Sequence, residues 1–152
     1  YENNRNQIED EFVSGNFINS DSQEVPSTLL ELNDDLKKEI HKSLKGPLEK
    51  WSGSSLEPTF VYGIRNYRKG AVLVPHRDRE KTHIISAIIN IDKDLDKDWP
   101  LMIEDHFYRK HFIFLEPGEV VFYESARLLH GRPEPLLGRN FANIFCHFKP
   151  IS

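Results

Sequence analysis

"TFVYGIRNYRKGAVLVPHRD", residues 59–78, sets two short runs rich in β-branched and aromatic residues on either side of a turn signal. Runs of this kind read as strands, and five more follow: "HIISAIINI", "PLMIED", "HFIFLE", "EVVFYES" and "FANIFCHF". Seven short strands in a row predict a sandwich or barrel. "EPGE", residues 116–119, reads as a tight hairpin turn, and "DKDLDKD", residues 92–98, as an exposed charged connection.

Upstream the period changes. Leu29, Leu32, Leu36, Ile40 and Leu44 recur at spacings of three and four, which predicts one amphipathic helix lying on the sheet. Thr28 and Glu31 form a capping-box pattern, Gly46 and Pro47 supply a stop, and Leu48 and Trp51 extend the apolar contact beyond it. Residues 1–25 are polar and read as an arm with one short strand, leaving residues 26–152 as a single domain with a β core over 58–150.

The chain has 152 residues, 38% of them hydrophobic and 11% aromatic, enough for one buried core. A net charge of -4 and a sequence pI of 6.0 give no field to draw in a nucleic acid or an anionic membrane, so neither is expected as a partner. The single cysteine, Cys146, excludes an internal disulfide and reads as a small buried hydrophobe. No apolar run reaches membrane-span length and no leader pattern is present, so a cytoplasmic setting is expected. No G-x-S-x-G elbow, P-loop or C-x-x-C pair occurs.

The chemistry centres on "VPHRDRE", residues 74–80. In a strand, side chains two apart share a face, so His76 and Asp78 converge while Arg77 turns away. Spacing alone leaves two readings open: a surface ion pair, or two of the three ligands of a facial triad for non-haem iron. A third ligand has to come from His83, His106, His111, His130 or His147, and His130 closes a strand just before a Gly/Pro-rich loop.

From Tyr62 to Pro150 the sequence resembles the catalytic domain of the prolyl 4-hydroxylase-like Fe(II)/2-oxoglutarate-dependent dioxygenases. "NYRKGAVLVPHRD", "EPGEVVFYES" and "LLHGRPEPLLGRNFANIFCHF" carry the resemblance, in the family's order and with its gap between the first and second histidines. It implies a mainly β double-stranded β-helix (jelly roll) with the N-terminal helix packed outside, and His76, Asp78 and His130 as iron ligands and catalytic centre. Implied with them are Fe(II), 2-oxoglutarate and O2, with ascorbate as an accessory reductant, and a proline-containing peptide or protein as substrate. The competing readings are the same chemistry on a small molecule or other non-prolyl substrate, and a β-barrel module that binds a ligand without turnover.

The cosubstrate anchor is where the sequence departs. The family places a cation nine or ten residues after the distal histidine; here those positions are Arg139 and Asn140. Arg139 is preferred, because a guanidinium fork suits a carboxylate, with Arg132 and Arg65 in reserve. Tyr67 matches a family tyrosine and is expected to touch the cosubstrate or substrate, as are Tyr62 and Tyr123. Leu73 stands where the family has another tyrosine, and Trp99 and Pro100 replace a glycine pair. His83 is expected in the core, His106 and His111 in solvent, and His147 on the face of Arg139, Phe141, Asn143 and Phe145, towards the site. Trp51 and Trp99 are expected in the core, and Arg79 either at the substrate or paired with Glu80 or Asp105.

Overall fold

The computed structural model describes residues 9–10, 18–20, 27–79 and 84–151. His83 and Glu80 lie outside the described residues. The elements are β1 (Glu9–Asp10), β2 (Ile18–Ser20), β3 (Ser27–Leu29), α1 (Asp34–Ser52), β4 (Leu56–Arg68), β5 (Ala71–His76) and β6 (Ile85–Leu95). They continue with β7 (Leu101–Glu104), β8 (Lys110–Ile113), β9 (Val120–Tyr123), β10 (His130–Arg132) and β11 (Gly138–Pro150). Antiparallel pairing gives a larger sheet ordered β1-β3-β4-β11-β6-β9 and a smaller one ordered β2-β5-β10-β7-β8. Two facing antiparallel sheets between which the chain repeatedly crosses make the jelly roll, a double-stranded β-helix. Each of the seven runs read from the sequence is a strand.

The central strand β11 shows how the core is built. Phe141 and Phe145 face the space between the sheets, with Tyr67, Leu73, Ile88, Trp99 and Leu101. Ala142, Ile144, Cys146 and Phe148 point the other way and meet Leu48 of the helix, with Ile40 and Leu44 packed against the same cluster. Period-two alternation thus feeds two apolar clusters, and a strand covered on both faces is apolar on both.

Helix α1 differs from expectation at both ends. Thr28 lies in β3, paired with Asn66, and Leu30 and Ile64 exchange two backbone hydrogen bonds that keep the chain extended past the expected cap. Asn33 is the cap: its side chain accepts from the Leu36 N–H at 2.8 Å. The helix then runs through Gly46 and Pro47 to stop at Gly53, which takes the left-handed conformation at φ 72°. Proline inside a helix costs about 3 kcal/mol, offset here by the full burial of Leu48 one residue later and by Trp51 reaching the Phe122 ring at 5.9 Å. Trp51 itself stays half exposed.

Two connections also differ. The first half of "DKDLDKD" is strand, since β6 continues to Leu95 beside β11. The "EPGE" turn closes with Glu119 N–H donating to Glu116 O at 2.9 Å, but it joins strands of different sheets: β8 pairs with β7 and β9 with β6. Turn chemistry specifies reversal locally and leaves the pairing partner open.

Candidate metal centre

β5 and β10 lie side by side in the smaller sheet with His130 directly opposite His76. Asp78 follows two residues past His76, and its N–H donates to the Ser125 carbonyl at 2.8 Å, which fixes its backbone against the loop that leads to His130. The Asp78 Oδ1 atom stands 3.2 Å from His76 Nε2 and 3.5 Å from His130 Nε2, and the imidazole centroids are 4.6 Å apart. One ligand atom from each residue falls within 4.8 Å of the others, the one such cluster among the described residues.

The tautomers follow from geometry. His76 Nδ1 is 2.7 Å from the Val74 carbonyl and His130 Nδ1 is 2.9 Å from the Leu128 carbonyl. A carbonyl only accepts, so Nδ1 is a donor in both rings, and Nε2 is the nitrogen turned towards Asp78 and left to ligate a metal. Burial pushes the Asp78 carboxyl up, but hydrogen bonds from His130 and His76 outweigh it and hold the group well below the usual carboxylate range. The result is a carboxylate oxygen and two imidazole nitrogens converging on one point with an open side: the donor set of a divalent metal with free coordination positions.

The triad opens into a cavity of about 690 Å³ that Tyr62, Arg65, Tyr67, Tyr123, Arg132 and His147 also line, within the range of small-ligand sites. Tyr123 sits edge-on to His130 at 4.9 Å; burial, and then the Asp78 charge, raise its phenol well above the ordinary value, so it stays a neutral donor. His147 is buried on the inner face, as its alternation predicts, and its Nδ1 is 2.6 Å from Ser86 Oγ, which is in turn 2.5 Å from Ser125 Oγ. Ser86 and Ser125 escaped the sequence reading. The available signal for Ser86 was a lone hydroxyl inside the apolar run "HIISAIINI".

The structure corrects the expected anchor. Arg139 is exposed on the outside, its guanidinium 2.8 Å from both Asp94 and Asp96; hydrogen bonds to Asp94 first, and then to Asp96, raise its pKa. The cause is a register shift at the start of β11: Gly138 faces Leu95 and Asn140 faces Asp94, which leaves Arg139 without a partner of its own and breaks the alternation there. Asn140 is also diverted, bonding Asn66 and Asp92 at 3.2 Å each. The first inward side chain of β11 is Phe141.

The cations inside are the two reserves. Arg132, 2% exposed, lies between Trp99 and Phe141, 4.8 and 4.5 Å from the ring centroids, with Nη1 donating to the Trp99 carbonyl at 2.6 Å. Burial pushes its pKa down to about 10, which leaves it charged at neutral pH. No carboxylate of the described residues pairs with it. Arg65 is cupped by Tyr62 at 4.8 Å, Phe145 at 5.0 Å and Tyr67 at 5.8 Å. His106 and His111 are exposed, as expected, and bond Glu124 and Asp105. Arg79 lines the cavity and is not paired with Asp105, whose partners are Arg109 and His111.

A jelly roll whose inner cavity holds a two-histidine, one-carboxylate cluster defines a protein with a candidate mononuclear non-haem metal centre. More particularly, the fold is that of a prolyl-4-hydroxylase: the crystal structure of a Pseudomonas putida prolyl-4-hydroxylase matches over 89% of this chain and 78% of that one, with a TM-score of 0.60 at 15% identity. No protein-family model and no curated protein sequence matches the chain. Among the described residues no helix is long and apolar enough to cross a membrane.

Proposed function

We propose that this protein is an Fe(II)- and 2-oxoglutarate-dependent dioxygenase that hydroxylates a prolyl residue in a peptide or protein and releases succinate and CO2. The observation that carries this reading is the pairing of an open His76–Asp78–His130 cluster, each ring with Nε2 left for a metal, with a buried arginine two residues beyond His130 that meets no carboxylate among the described residues. A metal alone gives no reason to bury Arg132; a dicarboxylate cosubstrate does. The fold of the Pseudomonas putida enzyme supports the same reading.

The residues present fit the groups implied. His76, Asp78 and His130 would hold iron, and Arg132 would receive the far carboxylate of 2-oxoglutarate, with the hydroxyls of Tyr67 and Tyr123 beside it. Iron and 2-oxoglutarate, when bound, supply the oxidising power that converts a C–H bond and O2 into a hydroxyl group while the keto acid is decarboxylated. The chain contributes placement. The Val74 and Leu128 carbonyls hold the two imidazoles against rotation, the Ser125 carbonyl holds the Asp78 backbone, and Leu73, Ile88, Leu101 and Phe145 keep the inner wall apolar.

Incubation of the chain with Fe(II), 2-oxoglutarate, O2 and proline-containing peptides, with and without ascorbate, tests the reading by mass spectrometry and succinate assay. One added oxygen on proline with matching succinate, absent in His76→Ala, is the expected outcome. Succinate without peptide oxidation would keep the dioxygenase and move the substrate to another class; neither product from iron-loaded protein would leave a ligand-binding module.

A further inference from the structure

Arg77 and Arg79 flank Asp78, and strict strand alternation would turn both away from the cavity. They do not turn away. β5 ends at His76, residues 77–79 are non-strand, and both arginines line the cavity with His76 and Asp78. Two bonds dock this short stretch onto the loop that leads to His130: Asp78 N–H to the Ser125 carbonyl at 2.8 Å, and Arg77 Nε to the Arg127 carbonyl at 3.1 Å. The second consumes only Nε, so the two terminal nitrogens of the Arg77 fork remain as donors.

Neither arginine meets a carboxylate of the described residues, whereas the other cation of the rim, Lys37, is closed onto Glu31. The charge inside the cavity leaves them with surplus. Divalent iron, the Asp78 carboxylate and the 2-oxoglutarate dianion together carry one negative charge, which the two inner cations, Arg132 and Arg65, already outweigh. Arg77 and Arg79 then place two positive charges at the entrance of a concave site, in a chain whose net charge is -4. A low-dielectric cleft focuses such a field outward along the approach path. A neutral prolyl ring has nothing with which to answer it.

We infer that the substrate presents an anionic group to Arg77 and Arg79: a prolyl peptide with an acidic side chain flanking the target residue. The inference rests on the functional reading above, because it takes the neighbouring triad as the reacting centre. Two guanidinium forks a residue apart from one another's neighbour Asp78 suit a carboxylate, which accepts from a fork through both oxygens. Both arginines are exposed, so the advantage is that of rim ion pairs, about tenfold in affinity for the two together.

The test is fluorescence-polarisation binding of three proline peptides that differ only in a flanking Glu, Gln or Lys, to the full chain loaded with Fe(II) and 2-oxoglutarate without oxygen. The Glu peptide should bind about tenfold tighter than the Gln peptide and the Lys peptide more weakly than either. Salt should shrink the advantage, and Arg79→Gln and Arg77→Gln/Arg79→Gln should progressively abolish it. Melting temperatures check the variants' fold. Equal binding of the three peptides, no binding of any, or a Glu preference that survives in the double variant would overturn the inference. Oxygen is then admitted and succinate measured. Succinate formed by a protein that binds the peptides alike sinks the anion site alone; an arginine-dependent Glu preference with no turnover of 2-oxoglutarate upholds the anion site and sinks the dioxygenase.

Discussion

Replacing Arg132 with methionine should leave the fold intact and remove the cosubstrate, and the two effects have calculable signs. In the unliganded protein the guanidinium is paid little for its burial: one bond to the Trp99 carbonyl and two aromatic faces. Its pKa, down at about 10, corresponds to about 3 kcal/mol against the charged form. Methionine removes that desolvation while losing a charge-assisted hydrogen bond of about 1.5–3 kcal/mol and two cation–π contacts, so the net change in stability is within about 2 kcal/mol. A carboxylate arriving beside Arg132 recovers the burial penalty, so the variant should bind 2-oxoglutarate about 100-fold more weakly. The assay is thermal unfolding with Mn(II), with and without 2-oxoglutarate at about 100 times the wild-type Kd. Wild type should gain about 2.7 kcal/mol, a rise of roughly 6–10 °C for a chain of this length, and Arg132→Met about 0.4 kcal/mol, or roughly 1 °C. A full 2-oxoglutarate shift in the variant would refute the anchor assignment and hand the role to Arg65. A fall of more than about 8 °C without ligand would mean that Arg132 is structural. Arg139→Ala, which removes the cation that the sequence favoured, should keep the whole shift.

Two further outcomes follow from close packing. A Cβ at Gly131 would lie 2.7 Å from the Leu73 carbonyl and from Pro75 Cα, so Gly131→Ala forces β10 away from β5. Unfolding in urea should show a loss of about 1–3 kcal/mol, and Mn(II) affinity should fall about tenfold or more as His130 leaves His76; an unchanged metal affinity would argue against the triad. Burial pushes the Cys146 thiol up to about 12, which leaves about one part in 10⁴ as thiolate at pH 8. Reaction with a disulfide reagent should therefore be at least about 10³-fold slower in the native protein than in denaturant, and should rise about tenfold per pH unit between pH 8 and 10; native and denatured rates within tenfold would contradict the burial.

The strands were legible because each carries a β-branched or aromatic run bounded by turn residues, and the His76–Asp78 half of the centre because the two ligands stand two residues apart, at the end of one strand and just beyond it. The rest depends on contacts between segments far apart in sequence. Nothing near Arg139 indicates that Leu95 and Asp94 will face Gly138 and Asn140 and so turn the arginine outward. Nothing near Thr28 indicates that Ile64 will hold Leu30 extended. Pro47 is a strong local stop, overruled by the pocket that receives Leu48. The His147–Ser86–Ser125 chain joins three strands or loops that only the jelly-roll crossing brings together.

The partners of each arginine separate the structural from the functional. Arg139 is answered by Asp94 and Asp96 on the surface, so its charge is spent within the chain. Arg132 is answered by one carbonyl and two ring faces, deep beside a metal-ligand cluster. A buried cation in that condition lowers the stability of the empty protein and repays it only when an anion enters. The sequence offers the same distinction in a weaker form. Asp94 and Asp96 stand in the charged run "DKDLDKD", ready to compensate any neighbouring cation, while Arg132 is followed by "PEPLLG" and preceded by "LLHG", with Glu134 its only nearby acid. Glu134 does not close on it: the Trp99 indole donates to the Glu134 backbone carbonyl at 2.7 Å, and the arginine takes the carbonyl of Trp99 itself. Trp99, which replaces one of the family's paired glycines, therefore provides both the face on which Arg132 lies and the single acceptor that orients it. On the proposed anchoring by Arg132, the tryptophan at position 99 and the burial of that arginine are two halves of one arrangement, and Trp99→Gly should weaken 2-oxoglutarate binding through Arg132 even though no atom of the tryptophan is assigned to the cosubstrate.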